Sequence, residues 1–82
     1  MNLALYKDVI LTVNLPRSGL CAGDVGTLVE RHDVPGKEVR YSVEFFDMTG
    51  HTVAVATVPA SHLRAPVSAD RPSARPLTSA NS

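Results

Sequence analysis

At 82 residues the chain has room for one small domain, which would bury only about 60% of the surface its unfolded form exposes. A hydrophobic content of 44% excludes disorder along the whole length, and zero formal net charge with a pI near 6.8 counts against a domain that lives on nucleic-acid phosphate. The single cysteine, Cys21, excludes an intrachain disulfide and cannot make a structural zinc site alone.

No apolar run approaches the ~20 residues that span a bilayer, so no membrane segment is expected. Met1 to Lys7 lacks the charged start and long apolar stretch of a signal peptide. With a free thiol and no export signal, a bacterial-type cytoplasm is the expected compartment.

Met1 to Lys7 is a short lead-in that either frays or lies against the domain. Asp8 to Val13 is dense in β-branched residues and predicts a strand, with Val9, Leu11 and Val13 on one face. Asn14 to Gly19 is a loop, because Pro16 lacks a ladder donor and Gly19 permits a turn. Leu15 and Leu20 flank that loop, so it is expected to fold back over one end of the domain.

The stretch Leu20-Cys21-Ala22-Gly23-Asp24-Val25-Gly26-Thr27-Leu28-Val29 organises the chain. Gly23 and Gly26 allow positive φ or close backbone approach, and Asp24 is placed to accept a turn N–H. A phosphate cradle would need a lysine and a following helix, whereas here a β-branched run follows. Val25 to His32 is the second strand. Its inward set is either Val25, Thr27 and Val29 or Gly26 and Leu28.

Pro35-Gly36 marks a turn, and Glu38 to Asp47 is the clearest strand. Val39, Tyr41, Val43 and Phe45 alternate there with Glu38, Arg40, Ser42 and Glu44, giving one apolar and one wet face. Met48 to His51 is a hairpin turn, and Thr52 to Val58 returns as a strand apolar on both faces. Pro59 ends it. Ala60 to Arg64 has the length of one helical turn, with Leu63 as an inward plug, before a brief strand from Leu63 to Pro66. From about Ala65 the composition shifts to Ala, Ser and Pro, which cannot offset its own ordering entropy. The predicted organisation is a domain over 1–66 and a disordered tail over 67–82, where Arg71-Pro72 and Arg75-Pro76 could serve as a Pro-rich ligand.

Strand, long loop, strand, turn, strand, turn, strand, one-turn helix and strand is the plan of a small five-stranded SH3-like barrel, all-β, as in Tudor and KOW modules. Asp8 to Thr12, Leu15-Pro16, Gly19-Leu20, Gly23 to Thr27, Tyr41 to Phe45, Gly50 to Thr52 and Leu63-Arg64 carry a more specific likeness. On these motifs, over about residues 6–66, the chain resembles a bacterial family of short uncharacterised proteins with a Gly-Asp-Val-Gly-Thr signature. The resemblance implies the barrel fold and brings no activity with it.

Residues that could carry chemistry read more simply as structure. His32, His51 and His62 lack the close spacing of a zinc motif, although Asp47, His51 and His62 could gather a metal in space. Cys21 reads as a small hydrophobe rather than a reactive thiol. Glu30, Glu38 and Glu44 solvate strand surfaces. No Ser–His–acid or Cys–His set is marked by spacing, and so small a barrel leaves little room for a pocket of about 300 Å3. No catalytic residue, metal or cofactor is therefore assigned.

Arg17, Arg31, Arg40 and Arg64 are scattered, with Arg64 placed to cap the terminal turn. Phe46 breaks the alternation and faces outward if Phe45 faces in, unless it sits in a bulge. These residues point to a non-catalytic protein-binding module: an accessory subunit, antitoxin-like inhibitor or chaperone, with its partner encoded nearby. Phe46, Arg40, Leu15 and Arg17 are the expected contact residues, by the usual enrichment of aromatic and Arg anchors. The alternative is a KOW- or Tudor-like nucleic-acid binder working through Gly26-Thr27 and the adjoining loops, which would bind with strong salt dependence.

Overall fold

A computed structural model describes residues 3–72 and 74. Five strands form one antiparallel sheet: β1 (Asp8–Leu11), β2 (Val25–His32), β3 (Arg40–Phe46), β4 (Thr52–Pro59) and β5 (Leu63–Arg64), in the order β4-β3-β2-β1-β5. The sheet curls into a half-barrel, and among the described residues the only helical pieces are 3-10 turns at Pro16–Ser18 and Ala60–His62. The expected all-β plan, with one turn before the last strand, is the fold observed.

Sequence alternation explains which side chains the curl encloses. Val9, Leu11, Leu28, Tyr41, Val43, Phe45, Val58 and Leu63 point inward and pack as one cluster. Leu3 and Leu20 join them from the lead-in and the first loop. From Leu3 onward the lead-in therefore lies against the sheet, held by Tyr6 N to Leu28 O at 2.6 Å and Leu28 N to Lys7 O at 3.0 Å. Leu63 is the plug anticipated from the sequence. Each large buried side chain contributes roughly 1.5–3 kcal/mol.

The inward set of β2 is Gly26 and Leu28, and Val25 is exposed. The two turn glycines act by different means. Gly23 has φ +96°, with open space where a Cβ would lie. Gly26 has an ordinary φ, but a Cβ there would stand 2.5 Å from Val43 Cγ1 and 3.0 Å from both the Glu44 carbonyl and Phe45 Cδ1. Asp24 Oδ2 accepts the Cys21 N–H at 2.9 Å, closing the turn as expected, and Cys21 itself is half-buried.

Five boundaries differ from the sequence reading, two of them by one residue: β3 ends at Phe46 rather than Asp47, and β4 at Pro59 rather than Val58. β1 ends at Leu11 rather than Val13, as Thr12 N turns to His62 O at 2.9 Å. β3 begins at Arg40 rather than Glu38, whose carboxylate instead accepts the Ser61 N–H at 2.7 Å. β5 stops at Arg64 rather than Pro66. There Arg64 does not cap the 3-10 turn. It grips Asp70 through two bonds, Nη1–Oδ2 at 2.9 Å and Nη2–Oδ1 at 2.7 Å. Val67 N donates to the same carboxylate at 2.7 Å, so the chain through Asp70 is folded into a turn. The remainder of the expected tail, residues 73 and 75–82, lies outside the described residues.

The steric role of Gly26 gives a direct test. Gly26→Ala forces Val43 or the Glu44 backbone to move, and should cost about 1–3 kcal/mol as overpacking in a tight core. Gly23→Ala should also destabilise, through φ alone and without repacking. Urea unfolding with side-chain methyl NMR separates them: only Gly26→Ala should shift the Val43 methyl resonances.

Candidate interaction surface

The outer face of β2, β3 and β4 divides into a polar end and an apolar end. At the polar end, register places Glu30 beside Ser42, Ser42 beside Thr57, and His32 beside Arg40. Ser42 Oγ meets His32 Nε2 at 2.9 Å and Thr57 Oγ1 at 2.8 Å. The supposedly wet-face serine is thus buried, at 8% exposure, under its own hydrogen bonds. A bulge between Leu28 and Glu30 brings Glu30 and His32 to this face, and their closest approach is 3.7 Å.

This Glu–His–Ser grouping was not visible in the spacing, because only the register of two strands assembles it. It does not form a nucleophile relay. In such a relay the acid holds one imidazole nitrogen and the serine the other, whereas here Glu30 and Ser42 both approach Nε2. Among the described residues, no three His, Cys, Asp or Glu side chains converge as metal ligands. His51 meets Asp47 at 3.6 Å and Thr49 Oγ1 at 2.9 Å within the β3–β4 turn. His62, on the second 3-10 turn, has a buried Nδ1 with no partner.

The apolar end carries Phe46, Val53 and Val55, with Met48 at the hairpin tip. Phe46 is 44% exposed, Val55 60% and Met48 95%. Phe46 faces outward because Phe45 faces in, and a bulge between them sets it opposite Thr52. Asp47 fixes the turn, its Oδ1 accepting Thr49 N at 2.9 Å, Thr49 Oγ1 at 2.7 Å and His51 N at 2.9 Å. The Thr49 hydroxyl first, and then the His51 N–H, hold the Asp47 carboxyl below its usual range. Glu44 accepts the Thr52 hydroxyl across the same hairpin.

Beyond β4 the sheet order ends. Ala60 N donates to Val39 O at 2.8 Å, which continues the β3–β4 ladder by one pair. Because hydrogen-bonded pairs alternate in an antiparallel ladder, Ala54, Ala56 and Val58 direct their backbone groups to β3. Val55, Thr57 and Pro59 direct theirs outward. Pro59 has no N–H to offer, and Thr57 O is taken by Arg40 Nη2 at 3.0 Å. The Val53–Val55 section keeps the open edge.

The four expected contact residues do not gather within one chain. Arg40 and Phe46 stand at opposite ends of β3, about 20 Å apart at 3.3 Å per residue. Arg17 is exposed on the first 3-10 turn, two strands from β3, and Leu15 is half-buried against the core. Val53 and Val55, both exposed on the β4 margin, were not singled out from the sequence. Their signal was present in a strand apolar on both faces.

A groove of about 350 Å3 lies on the far side of the sheet, lined by Ile10, Val25, Arg64, Val67 and Asp70 among others. It lies outside the half-barrel, on a face that the expectation of little room for a pocket of about 300 Å3 did not anticipate. Ile10 is 5% exposed there and stands apart from the core cluster, beside the turn that Arg64 and Asp70 hold.

A family model described as a domain of unknown function (DUF4926) matches residues 5–65. The chain belongs to this family. The DUF4926 match covers all five strands and stops one residue after β5, near the span expected from the sequence motifs. No curated protein and no solved structure matches the chain. Among the described residues, no helix is long and apolar enough to cross a membrane.

The Arg64–Asp70 clasp of this DUF4926 domain has a pH signature. Arg64, and next the Val67 N–H, draw the Asp70 carboxyl down to about 2 from its ordinary value near 3.8. A depressed carboxylate stabilises the fold above its unfolded pKa and loses that contribution as pH falls through the folded value. The clasp should therefore hold through mild acid and open only as pH falls from about 4 to about 2. Carboxyl-carbon NMR of Asp70 should titrate near 2, and Arg64→Met should move the midpoint upward. A midpoint unchanged by Arg64→Met would rule out the clasp as its cause.

Proposed function

We propose that this domain is a non-catalytic protein-binding module, an accessory or antitoxin-like partner working in the cytoplasm, and that the β4 side of the sheet is its contact surface. The observation that carries this reading is the open Val53–Val55 edge flanked by exposed Phe46. Unpaired strand backbone next to apolar side chains is the arrangement by which proteins add a strand from a partner. The serine and histidine on the polar end are bonded in a way that supports the strand register rather than a reaction.

Nucleic acid is the less favoured partner. Arg31 is paired with Asp33 at 2.9 Å and Arg64 with Asp70 at 2.7 Å, which leaves those cations little to give a phosphate backbone. The Asp33 bond also raises the pKa of Arg31, as expected for an ion pair.

Affinity capture of the tagged protein from its native lysate, with and without nuclease, tests the reading. The expected result is a stoichiometric protein that survives nuclease. The double variant Phe46→Ala/Arg40→Ala should weaken its capture at least about tenfold, since anchor truncations each cost upward of 1 kcal/mol. Recovery of nuclease-sensitive nucleic acid alone would overturn it.

A further inference from the structure

From the margin of β4 we infer that its occupant is the C-terminal end of a partner protein, added as a short strand parallel to β4 with its terminal carboxylate at Arg40. The inference rests on reading that margin as a contact surface and names the segment it receives.

The C-terminal part of the margin is already closed. Arg40 Nη2 donates to Thr57 O at 3.0 Å, and Pro59 has no N–H. Ladder parity leaves the Val55 N–H, the Val55 carbonyl and the Thr57 N–H directed outward. An added strand that ran on past Thr57 would have to displace the guanidinium from the Thr57 carbonyl. A strand that ends there does not.

The groups that remain open fix the direction. In parallel pairing a residue donates to the residue before its neighbour and accepts from the residue after it. With the partner's penultimate residue beside Val55, the Val55 N–H bonds the antepenultimate carbonyl, and the Val55 carbonyl accepts the last N–H. The Thr57 N–H then bonds one oxygen of the terminal carboxylate. The next bond of such a ladder would bring an N–H to the Thr57 carbonyl from two residues beyond the chain end. Arg40 Nη2 supplies that missing donor. The same guanidinium has further N–H groups for the second carboxylate oxygen. An antiparallel strand ending at this point would present its amino terminus instead, cation facing cation.

Charge and side-chain size agree with this occupant. Among the described residues Arg40 has no carboxylate within ion-pair distance, whereas Arg31 and Arg64 each have one. The strand from Thr52 to Pro59 has no charged residue of its own, so Arg40 supplies the charge that meets the chain end. Side chains alternate across an added strand. The penultimate one lies beside exposed Val55, and the antepenultimate and last ones beside Ala54 and Ala56 on the inner face. Apolar residues are expected at all three positions.

Two pools of hexapeptides, random in the last four positions and ending in a free carboxylate or in an amide, test the inference on the immobilised full chain. The free-acid pool should be retained, enriched in apolar residues at its last three positions. For a selected peptide, amidation should weaken binding at least about tenfold, as loss of a charge-assisted contact. Arg40→Met should weaken the free acid as much and leave the amide unchanged. Val55→Pro, which removes an outward N–H from an edge strand, should weaken both forms. Cooperative unfolding checks that each variant is folded. Retention of neither pool, equal retention of both, or binding indifferent to Arg40→Met overturns the inference. So does an amidated peptide with a final glutamate that binds as well as the free acid. If the inference fails but Val55→Pro abolishes capture of a lysate protein, strand addition at this margin stands with a different segment. If Val55→Pro leaves that capture unchanged, the margin is not the contact surface.

Discussion

The whole half-barrel depends on the absence of one side chain. Gly26 faces inward on β2 at a place already filled by Val43 and Phe45, with the Glu44 carbonyl 3.0 Å from where a Cβ would be. Close approach there lets β2 and β3 share a tight inner face, and the large residues of β3 occupy the space so gained. Leu28, next inward along β2, is then buried completely, and Tyr41 is sealed at its rim by Arg31, whose guanidinium lies 5.9 Å from the ring centre. A larger residue at position 26 would push β3 outward, and the apolar cluster of so short a chain has no second layer to absorb the displacement.

A five-stranded sheet that does not close must deal with two margins, and this chain treats them differently. The β5 margin is two residues long and runs at once into the turn held by Arg64 and Asp70. That turn borders the groove that Ile10 also lines. The β4 margin is eight residues long and has local protection at one end only, from Pro59 and from the Arg40 bond to Thr57. Proline and a charged side chain are common means of blunting an edge. Their confinement to the C-terminal end leaves the β-branched centre uncovered.

Much of this was legible in the sequence, and what escaped had a common cause. Alternation in Val39 to Phe45 identified the inner face of β3, and Pro59, Gly23 and Gly50 marked the ends and turns. The signals were local, and so were the structures they fixed. Register could not be read the same way: the bulges at Leu28/Glu30 and Phe45/Phe46 each shift one strand against its neighbour. The first decides that His32 reaches Ser42, and the second sets Phe46 opposite Thr52. The burial of Ile10 escaped for a similar reason, because its neighbours come from Arg64 to Asp70, more than fifty residues along the chain. Composition made that segment look incapable of packing, whereas its described part through Asp70 is tied to Arg64 by a bidentate ion pair and to Val67 by a backbone donor.

The arginines show where the molecule keeps an unspent charge. Arg31 and Arg64 each face a carboxylate, and their charges are largely neutralised locally. Arg40 is bound to a carbonyl instead, and among the described residues it has no carboxylate within ion-pair distance. A neutral acceptor orients a guanidinium without cancelling its charge, so Arg40 retains its full field at the one margin where backbone groups are also open. Held by Thr57, the cation is pre-positioned at little entropic cost, and the sheet presents hydrogen-bonding groups, apolar surface and fixed charge along a single edge.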